Sequence, residues 1–346
     1  MITEVIKVNN PNDSLADIKK AANAIKNGGL VVIPTETVYG LGGNGCLDSS
    51  AKKIYEAKGR PSDNPLIIHI YEPSDAEKYA YTNSTYYALA KAFMPGPLTV
   101  VLPKKDIIPY SVTGGLETVA IRCPSHAVAR ELIRECGVPI AAPSANISGK
   151  PSPTCAEHVI CDLNGKVDII IDGGECDIGL ESTIVSINND GSLTLLRPGG
   201  ITFDALSCVC DRVIIPESIE HCLKDNERPL SPGMKYKHYA PSAPLVLIDG
   251  NQNDVEAFLM SEQHTLKIAI LCYDEEIALY PDAITIPIGK RDDISGHAKA
   301  LFAALRMTDT YDGIETIYAH LPNKEGLGLA LYNRMIRAAA HTVLKL

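Results

Sequence analysis

Residues 56–70 read EAKGRPSDNPLIIHI. Residues 49–57 suit a helix, Gly59 and Pro61 turn the chain, and residues 66–70 form a short apolar strand. Two cations, Lys58 and Arg60, flank the glycine and can point into a common space. Lys would act as a point charge and Arg as a planar fork, a pairing that suits an anion with several oxygens, such as a triphosphate. The competing reading is a solvated turn with two surface charges. In the strand, alternation puts His69 on the face of Ile67, either as a core histidine or beside the same mouth as the cations.

Upstream, residues 11–29 (PNDSLADIKKAANAIKNGG) predict a helix capped by Asp13 or Ser14 and ended by Gly28, with Leu15, Ile18, Ala22 and Ile25 on one face. LVVIP (30–34) is a buried strand, and TETVYGLGGNG (35–45) reads as a functional loop. Downstream, strands are expected at 98–103, 118–124, 138–146, 166–174, 181–187 and 193–200, with a helix at 126–136. Helices and strands mix without strict alternation. That favours an α/β fold with a mixed sheet over a simple doubly wound one.

Residues 226–244 hold four prolines and a Lys/Tyr/His cluster with no apolar period, which reads as a linker. Beyond it the pattern becomes regular. Strands at 244–250, 266–273, 283–288 and 314–320 interleave with helices at 252–262, 294–307 and 326–345. This predicts a smaller, largely parallel, Rossmann-like α/β domain. The expected organisation is a catalytic domain at 1–210, a linker at 211–243 and a C-terminal domain at 244–346.

The 346 residues are 45% apolar and 21% charged, enough for real cores. A net charge of −10 argues against coating nucleic acid by bulk electrostatics, yet leaves room for a local basic pocket. The start MITEVIKVNN has no apolar signal region, and no long apolar run occurs, so a soluble cytoplasmic protein without membrane association is expected. Ten cysteines without a CxxC pair read as reduced, mostly buried thiols.

A second constellation is AAPSANISG, residues 141–149. An apolar strand ends there in small, hydroxyl-rich residues, where open α/β sheets bind ligands. Ser144 and Asn146 can donate to phosphate or carboxylate oxygens; a hydroxyl turn with a helix cap is the plainer alternative. A nucleophilic serine would want a GxSxG elbow or a paired base, and neither is present. Thr35, Thr37, Arg122, Ser182, Thr183 and Arg197 also lie at expected strand ends. Together they suit a carboxylate-bearing small molecule beside a nucleotide. There is no P-loop, Gly326-Leu327-Gly328 is an incomplete dinucleotide motif, and Cys208, Cys210, His221 and Cys222 lack zinc spacing. Asp168, Asp172, Glu175 and Asp177 could assist a hydrated Mg²⁺ or be plain turn carboxylates.

These motifs, from PTETVYGLG through AKGRPSDNPLIIHI, TVAIRCP and APSANISGKPSPT to ESTIV and LLRPGG, resemble the YrdC-like family. Lys58, Arg60, Ser144 and Asn146 meet its KxR…SxN signature, and SPGMKYKHYAP with the trailing domain resembles its long, two-domain form. The resemblance implies synthesis of L-threonylcarbamoyl-AMP and pyrophosphate from L-threonine, bicarbonate or CO₂, and ATP with Mg²⁺. A transferase complex would then pass the product to adenosine beside the anticodon of tRNAs reading ANN codons. It implies catalytic roles for Lys58, Arg60, Ser144 and Asn146, and threonine binding by Thr37, His69, Arg122, Ala142 and Ser182. Arg60, Asn64, Thr118, Ser144, Ser152, Arg197 and Tyr236 would bind ATP, with residues 231–241 as a lid. No metal ligands are assigned. One departure, Gly43-Asn44-Gly45-Cys46 where relatives often carry alanines, bears on the shape of that loop. The rival functions are a double-stranded RNA-binding module and a carbamoyltransferase; direct tRNA binding is possible but not required.

Overall fold

The computed structural model describes residues 2–219, 239–264 and 266–346. The proposed lid up to residue 238, including Tyr236, lies outside the described residues. The chain divides into two compact units. The first carries most described residues up to 219; the second carries those from 239 onward, with the short segments Gly149–Pro151 and Ile178–Leu180.

In the first unit the strands are β1 (Glu4–Lys7), β2 (Val31–Ile33), β3 (Gly40–Asn44), β4 (Ile67–His69), β5 (Leu98–Pro103) and β6 (Thr118–Arg122). They continue with β7 (Ile140–Ala141), β8 (Ile169–Asp172), β9 (Thr183–Ile187), β10 (Leu193–Arg197) and β11 (Val213–Ile214). Together they form one mixed sheet in the order β1-β8-β2-β3-β7-β4-β6-β5-β9-β10-β11. The last strand lies inside the span expected to be linker, so the sheet runs on past residue 210. Its helices are α1 (Leu15–Lys26), α2 (Asp48–Lys58), α3 (Ala76–Tyr79), α4 (Ser84–Phe93), α5 (Tyr110–Thr113), α6 (Ala127–Cys136), α7 (Ala156–Leu163) and α8 (Phe203–Ser207).

Helices α1 and α6 close one face of this sheet. Ile18, Ala22 and Ile25 of α1 pack with Leu132 and Ile133 of α6 over Val31, Ile33, Ile169 and Ile171. Each of these Val, Leu and Ile side chains contributes roughly 1.5–3 kcal/mol by leaving water. Leu15 stays 37% exposed, so the apolar stripe of α1 starts one turn later than its sequence suggests. Ser14 stands at the N-cap position of α1 without a side-chain bond to the helix.

The stretch expected to be a functional loop is partly the buried strand β3. It is antiparallel to β2 and to β7. A Cβ on Gly42 would lie 2.8 Å from the Ile140 side chain and 3.0 Å from the Val31 carbonyl. Glycine therefore lets β3 sit between its neighbours, and having no side chain, it leaves no hydrophobic period to read.

The second unit contains β12 (Leu245–Asp249), α9 (Gln252–Glu262), β13 (Ile268–Cys272), β14 (Ile284–Pro287), α10 (Ile294–Thr308), β15 (Thr316–His320), α11 (Gly328–Ala338) and β16 (Val343–Lys345). Its five-stranded sheet has the order β14-β13-β15-β12-β16, and every pairing is parallel. The expected Rossmann-like architecture is present. The final helix is shorter than expected: Ala340 and His341 adopt φ of 47° and 64°, outside the helical region, and the chain re-enters the sheet as β16. Among the described residues no helix is long and apolar enough to cross a membrane. Of the nine described cysteines only Cys123, Cys136, Cys176 and Cys272 are buried, fewer than expected, and all nine are free thiols.

Candidate active site

Register builds the site. His69 on β4 is opposite Arg122 on β6, Arg122 is opposite Thr99 on β5, Thr99 is opposite Ile184 on β9, and Ile184 is opposite Arg197 on β10. Residues directly opposite one another share a sheet face. One row across five strands thus brings an imidazole, a hydroxyl and two guanidinium groups together. The register shifts between Leu195 and Arg197, so the extra residue Leu196 also packs with Ile184, and Arg197 is tied to the row through Ser182. Two residues along, on the same face, Ile67, Ala120 and Val101 join Ile184 and Leu196 in a small apolar floor.

Each polar member of the row is buried and held. Arg122 donates from Nη2 to Glu36 Oε1 at 2.7 Å, with side chains 5% and 6% exposed. Burial acts to raise the Glu36 carboxyl, but the charge and hydrogen bond of Arg122 outweigh it and hold Glu36 below the usual carboxylate range. Among the described residues Glu36 Oε2 and Arg122 Nε have no hydrogen-bond partner. Burial, reinforced by the Arg122 charge, pushes His69 down to about 3, so its ring is neutral near pH 7. Its Nδ1 faces the Ile140 carbonyl at 3.2 Å. A carbonyl only accepts, so Nδ1 carries the proton and Nε2 is left as an acceptor.

Arg197 donates from Nε to the Ser182 carbonyl at 3.0 Å and from Nη2 to Ser182 Oγ at 3.1 Å. Ser182 Oγ also shares a hydrogen bond with Thr99 Oγ1 at 2.7 Å. Thr37, fully buried, meets Thr35 Oγ1 at 2.9 Å. Ser152 donates to Glu181 Oε1 at 2.6 Å.

The two cations of the opening stretch are not a solvated turn: Lys58 is 1% and Arg60 9% exposed. Gly59 closes α2 in the left-handed conformation, at φ 61°. The two side chains then reach different anchors. Lys58 Nζ donates to the carbonyls of Ser144 and Asn146, and the Ser148 amide returns a bond to the Lys58 carbonyl. Arg60 donates to the carbonyls of Asn64 and Pro65. The segment 143–146 is itself stitched to β3, with Leu41 N on Pro143 O, Ala145 N on Tyr39 O and a bridge from Gly40 to Ser144. Ser144 Oγ donates to Asn146 Oδ1.

The expected residues therefore fall into groups. His69, Arg122, Ser182 and Arg197 gather around the row, with Thr37 on the loop that carries Glu36. Ala142, just past β7, donates its amide to the Ile67 carbonyl. Lys58, Ser144 and Asn146 form a second cluster. Thr118 stands at the start of β6, four residues or about 13 Å from Arg122. Arg60 and Asn64 precede β4, the parallel neighbour of β6, and so lie toward that same end. Glu36, Thr99 and Glu181 escaped the sequence reading. The signal for Glu36 was present: an acid between two threonines just after a buried strand. Among the described residues no group of three His, Cys, Asp or Glu side chains could hold a metal ion.

Fold and site together define a two-unit α/β protein whose mixed sheet carries a buried, cation-rich polar row. Residues 23–199 match a family model described as "Telomere recombination", and residues 201–340 match "Threonylcarbamoyl-AMP synthase, C-terminal domain". Threonylcarbamoyl-AMP synthase of Bacillus subtilis is 44% identical over 99% of this chain and 97% of its own length. That of Pyrococcus abyssi is 42% identical over 95% of both. A solved structure of Pyrococcus abyssi Sua5 complexed with L-threonine matches with a TM-score of 0.90 and 40% identity, covering 100% of each chain. The chain belongs to the threonylcarbamoyl-AMP synthase family.

Proposed function

We propose that this enzyme makes L-threonylcarbamoyl-AMP and pyrophosphate from L-threonine, bicarbonate or CO₂, and MgATP, acting in the cytoplasm. The observation that carries the reading is the in-register row from His69 through Arg122 and Thr99 to Arg197. The Pyrococcus abyssi relative with L-threonine bound supports threonine as the occupant.

Threonine's carboxylate meets Arg122, whose geometry Glu36 fixes. Thr37, Ser182 and the Ala142 backbone line the rest of its pocket. Neutral His69 accepts from threonine's hydroxyl or amine through Nε2 and acts by positioning, because a ring that titrates near 3 is a poor base at neutral pH. The amine adds to CO₂ and loses a proton to give a carbamate. One carbamate oxygen then attacks the α-phosphorus as pyrophosphate leaves. The protein contributes placement and positive charge. Lys58, Arg60, Ser144 and Asn146 serve the phosphates, with Asn64, Thr118, Ser152, Arg197 and Tyr236 completing the ATP site. Mg²⁺ arrives as part of the nucleotide. A threonylcarbamoyl transferase complex consumes the product at adenosine beside the anticodon of tRNAs reading ANN codons.

Pyrophosphate release measured with and without L-threonine and bicarbonate tests this, beside Lys58→Ala and Arg60→Ala. The expected result is release that needs both cosubstrates and falls in both variants. Release that ignores threonine would overturn the assignment.

A further inference from the structure

Two short pieces of the chain belong to the second unit although they interrupt the first, Gly149–Pro151 and Ile178–Leu180. Each ends one peptide bond before a residue of the candidate site. Pro151 precedes Ser152, and Leu180 precedes Glu181 and Ser182. Ser152 and Glu181 are both buried and joined by a hydrogen bond of 2.6 Å. The two pieces therefore end on either side of a single polar pair.

Within the second unit both pieces are fastened to α10. Arg306, in its last turn, donates from Nη2 and Nε to the Pro151 carbonyl, at 2.6 and 3.1 Å. Proline has no N–H, so that carbonyl is its one backbone group open to a hydrogen bond. A Cβ on Gly179 would lie 2.5 Å from Lys299 Cα and 2.8 Å from the Ala298 carbonyl oxygen. Backbone meets backbone there, an approach that needs glycine. Gly149 accepts from the Ala240 amide at 3.0 Å, and the neighbouring Tyr239 ring lies 5.1 Å from that of Phe302. Residues 298–299, 302 and 306 recur every three or four positions, so the anchors share one face of α10. The helix itself is firmly seated, with Leu301, Phe302 and Leu305 buried and Asp293 capping its first turn.

We propose that α10 sets the affinity of the site for ATP, with Arg306 as a positioning residue that acts through the Ser152–Glu181 pair. The inference rests on the assignment of Ser152 to the ATP site made above. The Pro151 carbonyl lies in one rigid peptide plane with the Ser152 nitrogen and Cα. Two donors on that oxygen therefore fix the direction in which the Ser152 side chain leaves the backbone. Ser182 has holders of its own, since its hydroxyl is bonded to Arg197 and Thr99. Loss of the grip on Pro151 thus reaches the ATP group Ser152 and spares the threonine group Ser182.

The test is steady-state pyrophosphate release by the full chain, with ATP and L-threonine varied in turn. Arg306→Met should raise KM for ATP about tenfold, the scale of a lost charge-assisted hydrogen bond, and leave kcat and KM for threonine within about twofold. Arg306→Lys keeps a charged donor without the fork and should fall between parent and Arg306→Met. Ser152→Ala should also raise KM for ATP, and adding Arg306→Met to it should cost little more, because both changes act through one group. If Ser152→Ala leaves KM for ATP unchanged, Ser152 is not an ATP group and the proposal falls with that assignment. If Ser152→Ala raises it and Arg306→Met does not, the assignment stands and the role of α10 is overturned. A rise in both KM values with Arg306→Met, or fully multiplicative effects in the double variant, would overturn it as well.

Discussion

The Glu36–Arg122 pair offers the sharpest quantitative test. At 2.7 Å, with side chains 6% and 5% exposed, it has little solvent screening. Removing one partner of such a pair leaves an uncompensated buried charge and costs about 3–5 kcal/mol. Glu36→Gln keeps the shape and one acceptor oxygen, so the lower figure applies, about 3 kcal/mol. At roughly 2–4 °C per kcal/mol for a unit of this size, melting should fall by about 6–12 °C. Arg122→Met strands the carboxylate instead, and the cost should be similar. The double variant strands neither charge, so a coupling of about 2 kcal/mol or more is expected between the two changes. Urea denaturation at pH 7.5 measures all four proteins, with pulse proteolysis assigning the transition to the first unit. Strictly additive costs, or single variants within about 0.5 kcal/mol of the parent, would refute the reasoning, since changes away from buried features fall in that range.

His69 refuses a proton in the folded chain down to about pH 3, while the unfolded chain takes one up near 6.5. Its contribution to stability is therefore complete above pH 6.5 and lost as pH falls toward 3, by about 1.4 kcal/mol per pH unit, a slope that His69→Asn should remove in urea melts at pH 6.5, 5.5 and 4.5. Lys58→Met should lower threonine-dependent pyrophosphate release by about 10²–10³-fold, the range for losing one charge-stabilising donor, with release kinetics as the readout. Gly42→Ala should cost about 1–3 kcal/mol in urea melts, because the new methyl meets Ile140 and the Val31 carbonyl inside β3.

How far the sequence carried the fold depended on which residues wrote the pattern. LTVVLP at 98–103 is β5, and the helix expected at 252–262 is α9. Aliphatic residues and caps mark those boundaries. GLGGN carries no such mark and reads as loop, because the fit of β3 depends on a missing side chain. The tail AAAHTVLKL looks helical by propensity, yet the helix stops at Ala338 and Val343–Lys345 pair with β12. Tertiary pairing overrode local preference there. In the site, His69 and Arg122 were legible as strand-end residues, but their direct opposition was not, since register is a property of two strands. Glu36 is visible as an acid between two threonines, but its pairing is hidden for the same reason: its partner is 86 residues away.

The placement of these groups also bears on how two substrates meet. The candidate threonine groups His69 and Arg122 end β4 and β6, while Arg60, Asn64 and Thr118 stand where the same two strands begin. About four residues of extended chain, some 13 Å, separate the two ends. A carboxylate anchored on Arg122 leaves the amino end of a small amino acid free to face inward along that stretch. A nucleotide anchored at the other end brings its phosphates toward the same interval, where Ile67, Ala120 and Val101 form an apolar floor. An apolar floor suits a carbamate and a mixed anhydride, both destroyed by water, better than a polar one. Replacing Val101 by Thr keeps its volume and adds a hydroxyl that can hold water beside the reacting atoms. Pyrophosphate release should then outrun recovery of threonylcarbamoyl-AMP, as the product hydrolyses in place. A variant in which release and recovered product stay equal would refute a water-excluding role for the floor.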